Sequence, residues 1–147
     1  LHALGLRVDG LDLWPQPDDW TRPHQWHQAD IRTFERYHNY PVVIGNLIFH
    51  QFGDNELETI GRAIRSSARL IIACEPARRR VSQVVYRVVG PLFGVNHVSL
   101  HDAHVSIDAG FVGTELPETL GLSSATWDIR SATTVRGAYQ LIAIRRS

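Results

Sequence analysis

Several polar residues of this sequence stand where apolar runs stop, and their types suit the recognition of a nucleoside. Asp12 closes the run LRVDGLDL, Asp30 lies in WHQADIRTF, Asn46 ends the core of VVIGNLIF with His50 just beyond, and Glu75 follows LIIAC. In an open parallel sheet, ligands bind in the crevice beyond the carboxyl ends of the strands. A carboxylate there accepts from sugar hydroxyls, and an amide both donates and accepts. One directed polar group per strand end in an otherwise apolar crevice therefore fits a nucleoside-like cofactor.

Each residue also has a plainer reading. Asp12 precedes Trp14-Pro15 and could simply begin a turn. Asp30 could cap a short helix starting at Ile31. Asn46 lies in a run read as buried, where its amide must bond either a ligand or the backbone. His50 is either a proton acceptor or a satisfied histidine between packed elements. Cys74, the sole cysteine, reads as a small core residue in a reducing interior. Further on, His97, His101, Asp102, His104 and Asp108 fall close together. They could ligate zinc or iron, although no HExxH-type signature accompanies them. They could instead belong to a lid over a substrate, with Asp102 orienting the imidazole of His101 as a base, or form a plain surface loop. Arg78, Arg79 and Arg80 suit either an anionic substrate group or a solvated helix start.

The elements that must position these residues are read from hydrophobic periodicity. Residues 42–49 are almost continuously apolar, the pattern of a strand covered on both faces. Asp54 is placed to cap the next helix, in which Leu57, Ile60, Gly61, Ile64 and Ala68 share a face. Glu56 and Glu58 come early and Arg62, Arg65 and Arg69 late, the order that suits the helix dipole. Residues 70–74 form a second strand, which makes residues 42–74 a βαβ unit. Residues 6–13 predict another strand. The spacing of Val81, Val84, Val85, Val88 and Leu92 predicts a helix, and a short one is expected around 114–120. Residues 126–135 and 138–146 flank Arg136-Gly137, a hairpin turn that adds an antiparallel ending.

In order and spacing, GLDLWPQP, QADIRTF, YPVVIGNLIFHQF and RLIIACEP resemble successive segments of class I S-adenosylmethionine-dependent methyltransferases. The resemblance implies an α/β, Rossmann-like, mostly parallel sheet with helices on both faces and an antiparallel C-terminal hairpin. It implies S-adenosylmethionine as cofactor: Asp12 with Leu13 at the ribose, Asp30 and Ile31 at the adenine, and Asn46 and Leu47 near the sulfonium. His50, or His101 with Asp102, would serve as base where the acceptor atom carries a proton. ACEPARRR followed by NHVSLHDAHVSIDAGF resembles a bacterial subgroup acting in small-molecule pathways. One departure is large, because no G-x-G-x-x-G occurs in the 147 residues. Residues 1–147 are thus expected to be a single methyltransferase-like domain lacking its first strand and Gly-rich loop, with further N-terminal residues in the native protein.

Composition narrows the partners. Lys plus Arg and Asp plus Glu are 15 each, so no bulk field favours nucleic acid, and every one of those cations is Arg. No apolar run approaches the roughly 20 residues of a membrane helix. A small-molecule substrate and a cytoplasmic setting are expected, and homo-oligomerisation is left open. The other classes to weigh are a non-catalytic Rossmann-like interaction module and a metal-dependent enzyme built on residues 97–108.

Overall fold

The computed structural model describes residues 5–20, 24–78 and 108–147. The helix expected over 81–92, together with His97, His101, Asp102, His104, Arg79 and Arg80, lies outside the described residues. The chain divides into two compact units, Leu1–Arg36 and Tyr37–Ser147.

In the first unit β1 (Gly10–Asp12) and β2 (Trp26–Gln28) pair in parallel, with Asp12 opposite Gln28. The strand is shorter than residues 6–13 because the chain turns at its end: the Asp12 carboxylate accepts from the Trp14 amide at 3.0 Å, and Pro15 comes next. Aromatic contacts hold the unit. The Trp20 and Trp26 rings meet edge to face at 5.2 Å, and their indole N–H groups donate to the Gln25 and Trp14 carbonyls.

The second unit is a four-stranded sheet in the order β3-β4-β6-β5. β3 (Val42–Asn46) and β4 (Leu70–Pro76) are parallel. β6 (Ala138–Arg145) runs antiparallel to both β4 and β5 (Trp127–Thr133). The sheet is therefore mixed, as an α/β fold allows, rather than mostly parallel among the described residues. Between β3 and β4 runs α1 (Asp54–Arg65), and α2 (Glu115–Thr119) precedes β5. Gly53, not Asp54, is the N-cap residue of α1, and its amide donates to Glu56 Oε2 at 3.1 Å.

Strand alternation assigns the core to one face. Ile71, Ala73 and Glu75 of β4 lie opposite Ala143, Leu141 and Tyr139 of β6, and all six are buried. Leu57, Ile60 and Ile64 of α1 and Leu116 and Leu120 at α2 supply the other half of that core. The helices meet so closely at Gly61 that a Cβ there would lie 2.3 Å from the Leu120 carbonyl oxygen. On the opposite face, Val42, Ile44, Ile142 and Ile144 are each more than 40% exposed. The stretch read as buried on both faces is thus covered on one only, since among the described residues no helix packs on the other. The hairpin forms where the turn residues foretell it. Gly137 takes φ +84°, a conformation glycine adopts without steric cost, and Thr134 closes the loop through both its amide and its hydroxyl.

Candidate functional site

β3 and β4 end side by side, and the residues just beyond them build a local site. The Leu47 amide donates to the Cys74 carbonyl at 2.9 Å, one residue past the paired strand. Leu47 itself takes φ +54°, in the left-handed region that side chains other than glycine rarely adopt. That twist swings the chain across the end of β4 and into a single 3₁₀ turn, Phe49–Gln51.

Glu75 holds this turn. Its side chain is fully buried, and its carboxylate accepts from three consecutive amides, Ile48 and Phe49 at 3.0 Å and His50 at 3.3 Å. A fourth donor is the His50 ring, whose Nδ1 lies 2.7 Å from Glu75 Oε2. A carboxylate removed from water needs its lone pairs met by donors, and charge-assisted bonds of this kind are the strong ones. The carboxylate can only accept, so it fixes the proton of His50 on Nδ1 and leaves Nε2 as the ring's acceptor. With its side chain 11% exposed, His50 is largely screened from solvent but reachable. The arrangement is a carboxylate-oriented imidazole, suited to taking one proton from a neighbouring group.

The remaining anticipated residues are less uniformly placed. Asn46 is exposed, so its amide is not under the buried-polar constraint inferred for it; it falls on the uncovered face of the sheet, whose side chains alternate from Val42. Leu47 is half exposed beside it. In the first unit, Asp12 spends Oδ1 on the Trp14 amide and keeps Oδ2 for a further donor, while Leu13 projects into solvent at 64% exposure. Asp30 does not cap a helix. Residues 31–33 form a turn, and the Arg32 guanidinium grips both Asp30 oxygens at 2.6 to 3.0 Å. That side-chain contact, with the Arg32 amide, holds the Asp30 carboxyl below its ordinary value. Ile31 is half-buried. His50, Asn46 and Leu47 thus gather at one strand end, whereas His101 and Asp102 lie outside the described residues. Arg78 pairs with Glu115, a solvated ion pair rather than a free anion receptor. The role of Glu75 exceeds what its place at a strand end reveals. The signal in the sequence is a carboxylate directly after a buried apolar run, which must find donors.

This order of elements matches solved structures over nearly the whole chain. Human N-acetylserotonin methyltransferase in complex with SAM superposes with a TM-score of 0.62 at 14% identity, covering 98% of this chain and 42% of that one. The chain has the class I methyltransferase fold. A SAM-dependent methyltransferase from Anabaena variabilis gives 0.63 at 13% identity, with 95% and 68% covered. Magnesium protoporphyrin IX methyltransferase from Synechocystis with bound SAH gives 0.55 at 17% identity, with 87% and 54% covered. The chain thus spans less than half the length of the human enzyme and about half that of the Synechocystis one. No family model matches the sequence, and no curated protein matches it closely. Among the described residues, no helix is long and apolar enough to cross a membrane.

Proposed function

We propose that this chain is the greater part of a class I methyltransferase domain that uses S-adenosylmethionine to methylate a protic small-molecule acceptor, with His50 as base and Glu75 as its positioning residue. The single observation behind this reading is the Glu75–His50 pair at the carboxyl ends of two parallel strands, where this fold binds ligands. The mostly parallel sheet with helices on both faces belongs to the same reading. The uncovered apolar stripe of Val42, Ile44, Ile142 and Ile144 supports it, because such a stripe is expected beneath a helix layer.

The residues present suit the cofactor unequally. Asp12 retains an oxygen that would accept from a ribose hydroxyl, and Leu13 offers an exposed apolar surface beside it. Asp30 is engaged by Arg32 on both oxygens, which leaves it fewer lone pairs for an adenine amine, with Ile31 adjacent. Asn46 and Leu47 stand at the end of β3 in the second unit. When bound, the cofactor supplies a methyl group already activated by a sulfonium. The chain's own part is to hold the acceptor in line and to receive its proton. His50 Nε2 takes that proton, and the imidazolium so formed is stabilised by the Glu75 carboxylate 2.7 Å from Nδ1.

Calorimetric titration of the full chain with S-adenosylhomocysteine should give one-to-one binding, and its absence would sink the reading. His50→Ala should leave that affinity unchanged and lower transfer to a hydroxyl acceptor by about 10²–10⁴-fold, the usual contribution of a positioned general base. Equal transfer rates in the two proteins would remove His50 from the mechanism.

A further inference from the structure

The end of the sheet remote from Glu75 gathers several arginines. Leu70 opens β4 opposite Ile144 near the close of β6, and the Arg145 amide donates to the Arg69 carbonyl. Arg65 from the last turn of α1 joins them, because Arg145 donates through its guanidinium to the Arg65 carbonyl. Arg146 is next in the chain, its amide bonded to the Thr126 carbonyl. Elsewhere among the described residues, Arg7, Arg32, Arg62, Arg78 and Arg130 each pair with a carboxylate, whereas the separate Arg36 and Arg136 do not. Arg65, Arg69, Arg145 and Arg146 make no such pair there.

Three of the four border a single open depression of about 640 Å³. Its wall includes Arg65, Arg145 and Arg146 with Ser123, Trp127 and Ser147, and no Asp or Glu side chain lines it. Arg65 also borders a second depression with Asp54, Glu58 and Glu118 but forms an ion pair with none of them, and an anion among Arg65, Arg145 and Arg146 would lower their mutual repulsion. Two of the guanidiniums are held in place by protein groups. Arg65 Nη1 donates to the Gly121 carbonyl at 2.6 Å, and the Arg145 guanidinium lies over the Trp127 ring at 5.1 Å. Holding one edge of a five-donor fork leaves the other N–H groups for a ligand and lowers the entropy lost on binding.

We infer that this depression binds a multiply charged phosphate-type anion, the phosphate group of an organic phosphate. Guanidinium forks match phosphate oxygens, and the volume leaves room for an attached organic group beyond the phosphate itself. The site lies at the opposite end of β4 from His50 and is separate from the methyl-transfer site, so it stands or falls independently of that proposal.

The test is calorimetric titration of the full chain with tripolyphosphate, with amide NMR shifts recorded on the same material, and with citrate as the carboxylate control at matched ionic strength. Saturable one-to-one binding should move the amides of residues 123–127 and 145–146, with tripolyphosphate binding more tightly than citrate. Arg146→Gln, whose side chain makes no bond within the described fold, should weaken tripolyphosphate binding by about tenfold, as expected for one lost charge-assisted contact. Arg130→Gln, on an arginine already paired with Asp128, should leave it unchanged. Tighter binding of citrate, shifts confined to other residues, or equal loss in both variants would overturn the inference.

Discussion

Glu75 concentrates four hydrogen bonds on one buried carboxylate, and the turn bearing His50 depends on all of them. Glu75→Gln keeps the shape but replaces one acceptor oxygen with an NH₂ group that faces amide donors. The expected loss is about 2–4 kcal/mol, the range for breaking a buried charged network. Urea unfolding of the two proteins would measure it, and an unchanged midpoint would mean that water replaces the carboxylate. The site is only partly legible at this scale. His50 is readable as a polar residue just past an apolar run, yet its partner lies 25 positions away, brought near only by the parallel register of β3 and β4. Asn46 is misleading because a continuous apolar run does not reveal which of its two faces has a layer against it.

The elements of the second unit are the most legible part, for physical reasons. The α1 stripe of Leu57, Ile60 and Ile64 has helical spacing because those residues do share a buried face, and Arg136-Gly137 marks the hairpin because that turn needs a positive φ. Strand ends are harder to read: β4 continues through Glu75 and Pro76, which pair with Tyr139 and Ala138, although a proline ordinarily signals a stop. At Gly61 two effects oppose each other. Alanine raises helix propensity by about 1 kcal/mol, but its Cβ would sit 2.3 Å from the Leu120 carbonyl oxygen, a backbone atom that cannot swing aside. The steric effect wins, and Gly61→Ala should cost about 1–3 kcal/mol net in thermal or urea unfolding. A gain in stability would show that α2 shifts freely against α1.

For the molecule as a whole, the titration of one core group bounds stability at high pH. Tyr139 is buried, its hydroxyl donates to the Gly113 carbonyl at 2.9 Å, and removal from water raises its pKa above the ordinary phenol value of 10.0. A pKa higher in the folded than in the unfolded chain gives a contribution fully present below the unfolded value and lost as pH rises through the folded one. Stability measured by urea at increasing pH should therefore fall above about pH 10. Tyr139→Phe should flatten that part of the fall, and identical slopes would place the alkaline transition on other groups. The aromatic residues have a separate optical consequence. Trp14, Trp20 and Trp26 all belong to the first unit, and Trp127, buried beneath Arg145, is the sole tryptophan of the second. Native tryptophan emission thus divides between the units, and a Trp127→Phe chain would report the unfolding of the first unit alone, so that its fluorescence and the far-ultraviolet signal of the sheet could be followed as two separate clocks.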